Sequence, residues 1–348
     1  MKILVYGAGN MGCLYAALLA ESGQDVSILA RGRRLAEIRE RGIHLENAVT
    51  GKRISSPVNA VERLEPEDDY DLILVALPRH HVSEALPTLA ESRPASNVMF
   101  FGNNASGPRE MIDALGRDRV LLGFPGAAAI AQDQVLRYLI TSALEQPTTI
   151  GEIDGIRSPR IEAIADALEA AGFSVAICSN MDAWLKTHVA KISPTANALY
   201  MAGVDARRLA RTPDALVLMI RAIREAYRVL SANGIPITPS NHKVFQWIPE
   251  PLLLVMMRKM VASETIGIKI GHALGARAEM KTIADELRAL AAATSVPTPA
   301  MDRLYKSVDP SEESMPDGCA ELPLDWSGVW WLGAAIAAVA VLIAGLWS

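Results

Sequence analysis

Cysteine is scarce in this 348-residue chain: three residues, Cys13, Cys178 and Cys319, lie far apart. An odd, scattered set builds neither a disulfide framework nor a metal-ligand cluster, and it fits a reducing, cytoplasmic compartment. Aromatic residues are few as well, 5% against a hydrophobic fraction of 50%, so the core is built from aliphatic side chains and alanine. No excess of positive charge is present. The 34 Lys and Arg face 39 Asp and Glu, a net charge of −5, which excludes a global basic field for nucleic acid. The opening MKILVYGAGNMG lacks the regions of a signal peptide and runs directly into a strand and turn. What is there is a globular chain long enough for two domains, with no internal repeat.

Short apolar runs alternate with helical stretches over the first half. KILVY at 2–6, DVSILAR at 25–31, DLILVALP at 71–78, NVMFFGNN at 97–104 and VLLGFPG at 120–126 read as strands. LYAALLAESG and RRLAEIRERG read as helices ending at Gly23 and Gly42. This alternation is the signature of βαβ units and a parallel sheet buried on both faces, an α/β Rossmann-type domain over 1–180. After Asn180 the apolar residues recur at i, i+3, i+4 and i+7, so 181–308 is expected to be an all-helical domain. VDPSEESMPDGCAELPLD at 308–325 is acidic with scattered Pro and Gly, and reads as a solvated linker over 309–325.

Gly7-Ala8-Gly9-Asn10-Met11-Gly12 is a G-x-G-x-x-G turn between a strand and a helix. The first glycine permits the tight turn and the second lets backbone approach a pyrophosphate. The third allows close helix–strand packing, while the helix N-terminus offers N–H groups to the anion. In that context the turn indicates a bound dinucleotide; a purely structural glycine turn is the alternative. The second strand ends in LARGRR, without the acid that holds the ribose hydroxyls of NAD. A guanidinium there grips a 2′-phosphate with charge-assisted hydrogen bonds, so Arg31 points to NADPH, whereas Arg34 reads as part of a solvated helix face.

Six segments in this order, GAGNMG, LARGRRLAEIRERG, TIGEIDG, WLK at 184–186, ANGIP and GARAEM, resemble the ketopantoate reductase family over about residues 1–308. The resemblance implies NADPH-dependent reduction of a small 2-oxo acid, 2-dehydropantoate to pantoate in pantothenate biosynthesis. It implies a cleft between a Rossmann domain and a helical domain, and no metal. Lys186 matches the family's catalytic lysine, the proton donor, and Glu279 its substrate-orienting glutamate. Asn103 matches an asparagine beside nicotinamide and substrate. A lysine can donate the proton and polarise a carbonyl when its surroundings tune it.

Departures from the family cluster in the substrate pocket. Pro78 stands where the family has a lysine, with Arg79 one position later. The first asparagine of the lysine helix falls on Val189 or Ala190. Ser193 and Asn197 are the remaining polar candidates on that helix, which Pro194 is expected to kink. The family's serine falls on Gly267, with Ser263 one turn earlier, and its arginine on Ala276, with Arg277 next. His188 and Lys191 are fallback proton donors, although a histidine on an apolar helix is more often a packed one. His80 and His81, without a third ligand at metal spacing, read as loop residues. A reductase of a different 2-oxo acid, or an NADP-binding protein without turnover, is the alternative function.

Charge is missing altogether from Trp326 to Ser348. Residues 329–347, nineteen at about 1.5 Å each, span about 28 Å, close to a bilayer's hydrocarbon core. Trp330, Trp331 and Trp347 stand at its two ends, as interfacial belts do. The expectation is a single-pass C-terminal membrane anchor; a helix packed on the body or across a homodimer is the alternative.

Overall fold

The computed structural model describes residues 1–92, 97–263 and 276–329. It comprises two compact units, Met1–Val189 with Ile268–Ala289 and Ala190–Gly267 with Leu290–Ser348.

In the first unit the chain runs β1 (Lys2–Tyr6), α1 (Asn10–Glu21), β2 (Asp25–Leu29), α2 (Gly32–Arg41), β3 (Ile43–Asn47), β4 (Arg53–Ser56), β5 (Asn59–Val61), β6 (Leu72–Val75) and α3 (Val82–Glu91). It continues through β7 (Asn97–Phe101), α4 (Arg109–Leu115), β8 (Val120–Phe124), β9 (Ala127–Gln132), β10 (Val135–Ile140), β11 (Thr148–Glu152), α5 (Pro159–Ala170) and β12 (Val175–Ile177). Eight strands form one sheet in the order β12-β11-β8-β7-β6-β1-β2-β5. All pairs are parallel except β8 with β11. The strands at its centre are apolar on both faces because both faces are covered. One core packs α1 and α5 against the sheet through Leu14, Tyr15 and Ile161. The other packs α3 and α4 through Leu86, Leu89 and Met111.

A second sheet, β4-β3-β10-β9, has no counterpart in the sequence reading. Its strands are short, β3 and β4 are half polar, and β9 is alanine-rich, which disguises a strand as helix. The β9–β10 hairpin closes on Asp133 and Gln134, both at positive φ, without the Asn-Gly or Asp-Gly that announces such a turn.

The helix α6 (Met181–Met201) begins in the first unit rather than opening a new domain at residue 181. The reason is burial: Met181, Trp184 and Leu185 are part of the core that includes α3 and α4. The helix continues through Pro194 to Met201. Helix Arg277–Ala292 likewise belongs to the first unit as far as Ala289.

Among its described residues the second unit contains helices and no strand: α7 (Ala206–Arg211), α8 (Pro213–Ala232), α9 (Glu250–Val261) and helix Pro299–Lys306. The acidic stretch at 309–325 is not a free linker. Met315 donates its N–H to Met201 O (2.8 Å) and accepts from Arg208 (2.6 Å). Arg211 pairs with Asp317 at 2.7 Å, and Arg221 donates to Pro323 O at 2.6 Å. Buried Asp214 accepts from the N–H groups of Glu321 and Leu322. Acidic composition alone could not reveal the arginines and the buried carboxylate waiting on α7 and α8. Among the described residues no helix is long and apolar enough to cross a membrane; the expected span 329–347 lies, from residue 330 on, outside them.

Candidate active site

The glycine turn divides its labour as its chemistry requires. Gly7 has φ +121°, and a Cβ there would stand 2.7 Å from Ala76 O. A Cβ at Gly12 would stand 1.9 Å from Gly7 O, so only glycine lets α1 pack onto β1. Around Gly9 a Cβ would meet nothing within 4 Å, which leaves open space at the N-terminus of α1. Gly9 is the N-cap of that helix, has no side-chain cap, and is followed by no acid in the first turn. These are the properties of a backbone cradle for a pyrophosphate, and the turn fits a dinucleotide. Asn10 is committed elsewhere, donating to Ala129 O at 3.3 Å.

Arg31 caps α2 directly after β2 and is exposed, and its guanidinium engages no partner among the described residues. The neighbouring arginines are engaged. Arg33 pairs with Glu37 at 3.3 Å, while Arg34 reaches Cys13 Sγ at 3.2 Å and Glu37 at 3.3 Å. Burial pushes the Cys13 thiol up, so Arg34 rests on a neutral sulfur.

Around the loop after β7 the first unit gathers Asn103, Glu279 and Lys186. Asn103 is buried; its Nδ2 donates to Glu279 Oε1 at 2.9 Å, while its Oδ1 is buried without a partner among the described residues. Asn104 clasps the turn from within, accepting from Gly107 N at 2.9 Å and donating to Gly107 O at 3.0 Å. Gly107 lies at φ +89° against α6, where a Cβ would come within 3.2 Å of Lys186 Nζ. Lys186 itself is 8% exposed and donates to Asp182 Oδ2, one turn earlier, at 2.5 Å. The result is a lysine, an asparagine and a glutamate tied to a single loop at the end of a central strand, where open α/β sheets bind ligands.

Other sequence candidates take different places. Ser193 and Asn197 belong to the second unit's part of α6 and are buried; Asn197 Oδ1 has no partner among the described residues. Because α6 is unbroken, Lys186, Ser193 and Asn197 fall on one side of it. Ser263 is exposed and donates to Met260 O at 2.8 Å, an ordinary helix-end bond. Gly267 lies outside the described residues. His188 is buried, stacked on Trp184 at 5.3 Å and packed on Phe124 at 4.1 Å, as a core histidine is. Arg79 is 7% exposed and pairs with Glu286 at 2.7 Å and Glu110 at 3.6 Å, so its charge is taken up inside the unit. His81 pairs with Glu84 at 3.1 Å.

Sequence reasoning missed two residues here. Glu286 accepts from Ala105 N at 2.8 Å and Ser106 N at 3.3 Å, and Asp182 holds Lys186. The available signal for Asp182 was its i, i+4 spacing to the lysine; for Glu286 it was seven-residue spacing from Glu279, two helical turns.

Residues 3–155 match the family model described as ketopantoate reductase PanE/ApbA. The 2-dehydropantoate 2-reductase of Pyrococcus abyssi is 27% identical over 239 residues, covering 68% of this chain and 75% of that enzyme. Over its first 155 residues the chain is similar to the ketopantoate reductase family. The matched family and relatives indicate an NAD(P)-dependent oxidoreductase. Among solved structures, a putative ketopantoate reductase from Ralstonia solanacearum superposes with a TM-score of 0.70 at 18% identity, covering 88% of this chain and 96% of that one. D-mandelate dehydrogenase in complex with NADH and anilino(oxo)acetate superposes with a TM-score of 0.71 at 17% identity, covering 88% and 97%. Both likenesses concern the ketopantoate reductase fold.

Proposed function

We propose that the protein reduces a small 2-oxo acid to the 2-hydroxy acid with NADPH, with 2-dehydropantoate to pantoate as the leading reaction. The observation that supports this reading is the loop after β7: Asn103 donates to Glu279 and Lys186 Nζ lies beside Gly107, in the unit that bears the glycine turn. Gly7, Ala8, Gly9, Asn10, Met11 and Gly12 would hold the pyrophosphate through backbone, and Arg31 the 2′-phosphate. When bound, the nicotinamide supplies a hydride.

The chain's own residues then have distinct tasks. Lys186 holds a proton at Nζ for the oxygen of the reduced carbonyl, and Asp182 fixes the direction of that ammonium. Asn103 offers Oδ1 as an acceptor for a ligand N–H or O–H, while its Nδ2 stays with Glu279. Glu279, on the other side of that bond, orients the substrate. Ser193, Asn197 and Ser263 are the further substrate-binding candidates. The three free cysteines are in keeping with a cytoplasmic body.

A specific observation favours a different 2-oxo acid as the second reading. Val189 and Ala190 are buried apolar residues where the family pattern has an amide, so the pocket has less to offer the substrate's hydroxyl. Steady-state oxidation of NADPH with a panel of 2-oxo acids that includes 2-dehydropantoate tests both. Turnover with one of them is the expected result. No turnover above the protein-free blank with any of them rejects the enzyme reading.

A further inference from the structure

Ten large apolar side chains are exposed among the described residues, and seven of them belong to one region of the second unit: Val244, Trp247, Leu252, Val255, Met256, Met260 and Trp326. The α9 helix explains the pattern. Glu250, Leu253 and Val261 are its buried positions, and Leu252, Val255 and Met256 recur at helical spacing on the opposite side, with Met260 exposed in the last turn. Trp247, 81% exposed, closes the turn that precedes the helix. A contiguous apolar surface of this kind, left uncovered, marks an interaction site.

Its charges narrow the partner. The exposed ionic residues of α9 are Arg258 and Lys259, with Lys259 on the apolar side, and Lys243 precedes them. The helix's one acid, Glu250, is buried and bonded to Arg221 at 2.7 and 2.9 Å. An amphipathic helix with an apolar face and basic residues is suited to the plane of an anionic lipid surface. Chain continuity points the same way. Asp325 N donates to Glu250 Oε1 at 3.0 Å, and Gly328 lies against Pro249, so the chain reaches Val329 beside the N-terminus of α9. The sequence from there is the uncharged run 329–347, bounded by tryptophans.

We propose that the second unit rests on an anionic lipid bilayer through the outward face of α9, with Val244, Trp247 and Trp326 beside it. Arg258, Lys259 and Lys243 contact the lipid phosphates. The basic residues that the linear sequence near the run lacks are then supplied by α9. This inference stands independently of the reductase reading.

Photo-crosslinking of the full-length protein, reconstituted with vesicles of phosphatidylcholine containing roughly a third phosphatidylglycerol, tests it. A benzophenone side chain is placed at Val255, with Met260 as a second position and Leu144, 98% exposed in the first unit, as the control. Lipid adducts at 255 and 260 but not at 144 are expected. Arg258→Glu with Lys259→Glu should lower the adduct yield at 255 roughly tenfold or more on these vesicles. Crosslinks between two copies would make the face a protein interface and overturn the proposal. So would crosslinks to residues 330–348 of the same chain, an absence of adducts, or a yield indifferent to the charge reversal.

Discussion

Glu279 and Glu286, two turns apart on one helix, hold successive parts of the same loop. Glu279 takes the Asn103 amide at 2.9 Å, and Glu286 takes the backbone N–H groups of Ala105 and Ser106. Arg79, itself buried, completes the arrangement on the far side of Glu286 at 2.7 Å. The loop that carries Asn103 is therefore braced by an ion pair.

Breaking that brace has a measurable cost. Glu286→Gln leaves Arg79 without its closest counter-charge, with Glu110 at 3.6 Å as partial compensation. We expect a loss of about 3 kcal/mol, the lower end for removing one partner of a buried pair. Arg79→Leu with Glu286→Leu should lose less than Glu286→Gln, because no charge is stranded. Urea unfolding of the three proteins checks this; an unchanged midpoint for Glu286→Gln would show that the ion pair is dispensable.

Lys186→Ala should lower kcat by roughly 10²-fold or more, the scale of general acid catalysis, while the affinity for NADPH stays nearly constant. Steady-state kinetics with a turned-over 2-oxo acid and a fluorescence titration of NADPH separate the two. Retained kcat would move the proton to another donor.

The arginines after β2 should behave unequally. Arg31→Ala is expected to weaken NADPH by roughly 10- to 100-fold, the worth of lost charge-assisted hydrogen bonds to a phosphate, and to leave NADH unchanged. Arg34→Ala, whose guanidinium is engaged by Cys13 and Glu37, should discriminate far less. Equal losses for both cofactors in Arg31→Ala would place the 2′-phosphate elsewhere.

The glycine turn was legible in the sequence because its requirements are local: three glycines, one strand and one helix. Lys186 and Glu279 emerged only through resemblance, since an isolated lysine or glutamate on a helix is ordinarily solvated. Their partners were not legible. Asp182 and Glu286 become special only after α6 and helix Arg277–Ala292 meet the loop at 103–107, a long-range event that composition does not encode. The second sheet stayed hidden for the opposite reason, its alanines and half-polar strands carrying a weak local signal. The acidic stretch at 309–325 looked solvated because its partners, Arg208, Arg211 and Asp214, lie about a hundred residues away.

Acid should unsettle the second unit through His242. Burial first, and then the positive charge of Lys191, push this imidazole down to about 4, and Tyr227 Oη lies 3.2 Å from its Nδ1. The unfolded chain takes up a proton near pH 6.5 that the folded chain refuses until about 4. Stability from this residue is therefore complete above pH 6.5 and falls as pH drops from 6.5 to 4. Thermal melts across that window should show the decline, and His242→Phe should flatten it. A wild-type profile that matches the variant's would contradict the assignment.

Transfer of label is the most direct test of the reductase itself. NADPH carrying deuterium at C4 of the nicotinamide is incubated with the protein and the 2-oxo acid, and the product is read by mass spectrometry. The account predicts one deuterium on C2 of the 2-hydroxy acid, with formation collapsing in Lys186→Ala. Product without deuterium, or no product from any 2-oxo acid while NADPH still binds, would contradict it.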